Sequence, residues 1–116
     1  MPPIADIEVS GARSTVRLTC TIDTGFSEPV TLPVRIAVQL GLELRGTTVL
    51  ELADGTEKEE LRFSGMVSFL GRRRKMDIYL TDSEEALIGE ALMSDCRVTI
   101  DYPAATVRFK RKRQTG

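Results

Sequence analysis

A chain of 116 residues with 41% hydrophobic content makes one domain with a small core, and 5% aromatic content without Trp leaves Val, Leu and Ile to fill it. The absence of His excludes Ser-His-Asp and Cys-His catalysis and His-ligated zinc, and two cysteines, Cys20 and Cys96, are too few for a disulfide scaffold. The formal net charge of −1 hides a segregation, because five of the 16 cations stand in residues 108–113 and no acid follows Asp101.

In chain order, residues 4–9 alternate weakly and predict a first strand, and residues 10–13 a turn. Residues 14–22 place Val16, Leu18, Cys20 and Ile22 on one side and Arg17, Thr19 and Thr21 on the other, the period of a half-buried strand. That strand runs into Asp23-Thr24-Gly25, a carboxylate on a tight turn where Gly25 allows close approach of other backbone. On its own the tripeptide reads more readily as an ordinary Asx turn than as a catalytic motif.

Pro33 suits the first position of a helix over 34–40, Gly41 suits its stop, and Ile36, Ala37 and Leu40 share a face. Residues 47–52 predict a strand that turns at Ala53-Asp54-Gly55-Thr56, since Asp-Gly between extended runs marks a hairpin. The returning arm, 57–62, carries Glu57, Lys58, Glu59 and Glu60 and is expected to project into solvent. Alternating positions on such an arm do not converge, so no metal site is expected there.

Residues 63–70 continue as strand, 71–73 turn the chain, and 76–80 form the next strand. A polar loop at 81–84 leads to Leu87-Ile88-Gly89, an apolar pair closed by glycine. Residues 90–94 are expected to form one or two helical turns, and strands at 96–102 and 106–109 end the fold. Seven or eight short strands with no βαβ alternation predict a mostly antiparallel β barrel or sandwich.

Two basic runs, Arg72-Arg73-Arg74-Lys75 and the C-terminal one, read as a solvated hairpin tip and chain end. Nucleic-acid binding is the less favoured reading, because no aromatic residue interleaves them to stack bases. The first residues hold neither a basic leader nor a long apolar core, and no run is long enough to span a membrane, so a cytoplasmic protein without membrane attachment is expected.

Together, Asp23-Thr24-Gly25, an Asp-Gly hairpin about thirty residues later, and an apolar-apolar-Gly triplet before a short helix resemble the retropepsin-like aspartic proteases. The likeness spans roughly residues 5 to 109. Phe26, Leu32-Pro33 and Leu40-Gly41-Leu42 look like a prokaryotic branch bearing Asp-Thr-Gly-Phe. The resemblance implies a mostly β fold: a small closed antiparallel barrel of the retropepsin type over 1–109, one or two short helices, and a basic tail at 110–116.

It implies an aspartic endopeptidase, without cofactor or metal, acting on peptide or protein substrates as a homodimer. Asp23 would be the catalytic aspartate, Thr24 would lock the two active-site loops across the dimer, and Gly25 would admit the substrate backbone. Ala53, Asp54 and Gly55 would form the flap tip over the substrate. Leu87, Ile88 and Gly89 would pack beneath the Asp23 loop. With one Asp-Thr-Gly per chain, two chains must meet for two carboxylates to share a proton over one water.

The pattern departs from the family at Phe26, where Ala or Ser is usual, at Glu90, where retroviral members carry Arg, and at the flap, which has one glycine. With Glu90 in that place, dimer contacts must differ. The other class of reading is a non-catalytic module that grips an extended peptide by strand addition.

Overall fold

The computed structural model describes residues 2–112, so Arg113 and the rest of the tail lie outside the described residues. Nine strands and one helix follow in chain order: β1 (Ile4–Ser10), β2 (Thr15–Ile22), β3 (Val30–Pro33), α1 (Val34–Leu40), β4 (Glu43–Glu51), β5 (Glu57–Phe69), β6 (Arg72–Thr81), β7 (Leu87–Ile88), β8 (Cys96–Asp101) and β9 (Thr106–Arg111).

Seven strands make one sheet in the order β1-β2-β7-β3-β6-β5-β4. β1 also pairs with β5, through Glu8↔Ser68, Val9↔Val67 and Ser10↔Met66. Pairing therefore runs in a ring through β1, β2, β7, β3, β6 and β5, with β4 attached outside on β5. The sheet is mixed rather than purely antiparallel: β2 pairs with β7 and β3 with β6 in parallel. β8 and β9 form a separate two-stranded sheet. It is tied to the ring by Phe109, whose ring meets Phe69 edge-on at 5.2 Å.

The alternating faces of these strands supply the core. Ile7, Val9, Cys20, Val30, Leu32, Val67 and Ile78 are buried from the ring strands, and Leu40 from α1. Burying such branched side chains contributes about 1.5–3 kcal/mol each and drives the closure. The helix lies where the Pro33 and Gly41 signals predict it. Pro33, however, is the last residue of β3 and the residue before the first turn, with ψ 143, and Gly41 ends the helix in the left-handed conformation at φ 68.

The second short helix expected at residues 90–94 does not form. Leu92 and Met93 donate only to the carbonyls three residues back, while the Glu90 and Ala91 amides are taken by Phe26 and Ser27 carbonyls. A run from 90 to 94 could close at most one bond of the four-residue-back kind, too little to nucleate a helix. β6 also starts at Arg72, so the basic run 72–75 is strand, paired with residues 66–69 of β5.

Candidate active site

Asp23 follows directly on β2, and its surroundings are made by two neighbours in space. β7 lies parallel to β2, with Thr21 opposite Leu87 and Ile22 opposite Ile88. The ladder continues past the strand end: the Asp23 amide donates to the Ile88 carbonyl at 2.9 Å. Phe26 N–H then returns to the Asp23 carbonyl at 3.2 Å, which closes a four-residue turn. Within it the Gly25 amide donates to Asp23 Oδ1 at 3.0 Å. A half-buried carboxylate is thus held at both backbone and side chain. Among the described residues nothing hydrogen-bonds its second oxygen.

Gly89 makes this packing possible. A Cβ at that position would lie 2.1 Å from the Glu28 carbonyl oxygen and 2.6 Å from that of Phe26. The chain beyond the aspartate therefore rests on a backbone that carries no side chain. Three bonds fasten it there: Gly89 N–H to Pro29 O at 2.9 Å, Glu90 N–H to Phe26 O at 2.8 Å and Ala91 N–H to Ser27 O at 3.2 Å. Ile88 is fully buried beneath, and Leu87 is half-buried. The structure so brings Asp23 and Gly25 together with Leu87, Ile88 and Gly89. Thr24 is exposed, and its hydroxyl has no partner among the described residues.

The β4–β5 hairpin carries Ala53, Asp54 and Gly55 at its exposed tip. Asp54 Oδ1 accepts from the Thr56 hydroxyl at 2.6 Å and from the Thr56 amide at 2.9 Å. The hydroxyl bond chiefly, then the amide, holds the Asp54 carboxyl below its ordinary value. Asp54 is therefore engaged in shaping the turn.

Between the Asp23 turn and the hairpin lies a cleft of about 530 Å³. Phe26 contributes from the turn, Leu50, Lys58 and Glu60 from the hairpin arms, and Tyr79 and Asp82 from β6 and the loop after it. The tip residues themselves do not line it. Burial pushes the Tyr79 phenol up, so it stays neutral and can donate or accept a hydrogen bond. Sequence reading missed Tyr79, because the parallel pairing of β3 with β6 that brings it to the Asp23 side has no local signal.

No protein-family model matches the sequence, and no curated protein matches it. Solved structures do match in shape. An EIAV protease complexed with the inhibitor HBY-793 superposes with a TM-score of 0.63 at 18% identity, over 82% of this chain and 88% of that one. The protease of a simian foamy virus gives 0.57 at 14% identity, over 78% and 91%. A foamy viral protease-reverse transcriptase in complex with an RNA/DNA hybrid gives 0.54 at 15% identity; the match covers 80% of this chain and 12% of that longer one. The chain shares the fold of the retropepsin-like aspartic proteases.

Proposed function

We propose that the chain is an aspartic endopeptidase of the retropepsin type, in the branch bearing Asp-Thr-Gly-Phe, and that it acts as a homodimer with Asp23 supplied by each protomer. The observation that carries the reading is the mounting of Asp23. Its Oδ1 is held by the Gly25 amide, its backbone is tied to β7, and Gly89 lies beneath the following loop. A turn that served only to change direction needs no such support. The fold it sits in is shared with the EIAV and simian foamy virus proteases, which supports the reading.

Each step then has a residue. One Asp23, ionised, takes a proton from the shared water as that water attacks the peptide carbonyl carbon. The partner's Asp23, protonated, donates to the carbonyl oxygen as negative charge builds there. The tetrahedral intermediate breaks its C–N bond as the leaving nitrogen gains a proton from the dyad. Thr24, exposed and without a partner among the described residues, bonds across the dimer. The hairpin with Ala53, Asp54 and Gly55 covers the substrate, whose side chains enter the cleft lined by Phe26, Leu50 and Tyr79.

The test is cleavage of denatured casein and a peptide library from acidic to neutral pH by the wild type and by Asp23→Asn. The reading expects cleavage that the substitution abolishes and that pepstatin-like compounds inhibit. Equal behaviour of the two proteins refutes it. Peptide binding that persists without turnover in the wild type favours the non-catalytic peptide grip instead.

A further inference from the structure

The two basic runs stand far apart in sequence, and the fold brings them together. Arg72 and Arg74 lie on β6, Arg97 on β8, and Lys110 and Arg111 on β9, with Lys112 just after it. Arg97, Lys110, Arg111 and Lys112 line one open cavity of about 720 Å³ with Ser94, Asp95 and Cys96. Among the described residues Asp95 is the single acid there. It accepts from Arg72 at 2.8 Å and lies 4.0 Å from Arg111. Arg111 also donates to the Leu70 carbonyl, and Arg74 to that of Leu92. Three guanidinium groups are therefore committed to the protein and hold the wall of the cavity in place.

Arg97, Lys110 and Lys112 have no acidic partner among the described residues, and all three are exposed. Arg97 and Lys110 are direct cross-strand partners in the β8–β9 sheet. Like charges directly opposite one another destabilise a strand pair. The fold bears that repulsion in a protein whose formal net charge is −1, so the cations are concentrated on this side against an acidic remainder. An anion seated here removes the repulsion.

We propose that this cavity is a binding site for the phosphate backbone of a nucleic-acid strand, separate from the Asp23 site. Among the described residues the lining holds no aromatic side chain and, apart from Cys96, no apolar one, so affinity must come from charge and counterion release. The same cations would also attract an acidic peptide, and competition with poly-glutamate separates the two. Without a stacking surface, the site reads no base sequence. The proposal does not depend on whether Asp23 is catalytic.

The experiment measures fluorescence anisotropy of a labelled 20-nucleotide single-stranded DNA of mixed sequence, titrated with the full chain at several salt concentrations. With three phosphate contacts the log–log salt slope is about −2, which is roughly a 20-fold loss of affinity between 50 and 200 mM salt. The triple variant Arg97→Gln, Lys110→Gln, Lys112→Gln is expected to bind at least about tenfold more weakly and to lose most of that salt dependence. A control of equal charge change, Arg17→Gln, Arg35→Gln, Arg45→Gln, is expected to bind like the wild type. All six positions are exposed, and circular dichroism verifies folding; Arg97→Lys is expected to retain binding. The proposal is overturned by no binding at 50 mM salt, or by equal losses in the triple variant and the control. It is likewise overturned if poly-glutamate displaces the DNA as well as unlabelled DNA does, which would make the partner an acidic protein surface.

Discussion

Gly89→Ala probes how the Asp23 turn is supported. The added Cβ would stand 2.1 Å from the Glu28 carbonyl oxygen, 2.6 Å from the Phe26 carbonyl oxygen and 2.7 Å from Phe26 Cδ2. Two of these three are backbone atoms, so no rotamer change relieves the clash. The loop from Phe26 to Glu28 must retreat by roughly 1 Å, an overpacking that costs about 1–3 kcal/mol. The retreat stretches the bonds from Gly89, Glu90 and Ala91 to Pro29, Phe26 and Ser27. Losing two of them adds about 2 kcal/mol. The sum, about 3–5 kcal/mol, is a large part of the 5–15 kcal/mol that holds a domain together. Thermal and urea unfolding followed by circular dichroism give the answer, with a fall in Tm of about 12–20 °C expected at this chain length. Gly55→Ala is the comparison: its Cβ would meet nothing within 4 Å, and only the positive φ of 85 opposes it. That change costs about 1–2 kcal/mol. A Gly89→Ala protein as stable as Gly55→Ala would refute the account of how the turn is held.

Other expectations follow from single groups. Burial pushes the Cys20 thiol up to about 12, so in the native protein at pH 8 it should resist iodoacetamide until denaturant is added; rapid labelling in the native state refutes its place in the core. At the hairpin tip, the Thr56 bonds favour ionised Asp54, so the turn is fully supported above the ordinary carboxyl value of 3.8 and loses that support as pH falls through Asp54's lower folded value. The Thr56 amide resonance should titrate with a midpoint below 3.8, and a midpoint above it contradicts the geometry. Because the Thr24 hydroxyl has no partner among the described residues, Thr24→Ala should leave Tm at low protein concentration unchanged while weakening the proposed dimer by roughly tenfold. Sedimentation that shows an unaltered dimer removes Thr24 from the interface.

Much of this was legible because the signals are local. α1 begins after Pro33 and ends at Gly41, residues whose backbone preferences act within one turn. The Asp54-Gly55 turn and the β2 alternation that leads to Asp23 are of the same kind. What escaped depends on distant partners. β3 is four residues ending in proline, and it is a strand because β6 and β7 lie on either side of it. Arg72, Arg73, Arg74 and Lys75 look like a charged turn, yet they pair with Phe69, Ser68, Val67 and Met66 of β5. Residues 90–94 have a helical look, but the run is too short to nucleate a helix, and the bonds from Glu90 and Ala91 to Phe26 and Ser27 that pin it join residues distant in sequence. Neither the Tyr79 wall of the cleft nor the meeting of the two basic runs can be read before those pairings are known.

The most direct test of a shared active site is dosage. Wild-type and Asp23→Asn chains are co-refolded in equal amounts and assayed on a peptide that the wild type cleaves. If two Asp23 carboxylates from two chains form one site, only wild-type pairs turn over, and activity falls to about one quarter of that of the same total of wild-type chains. Activity of about one half, as independent sites give, or cleavage by the pure Asp23→Asn protein, would contradict the account.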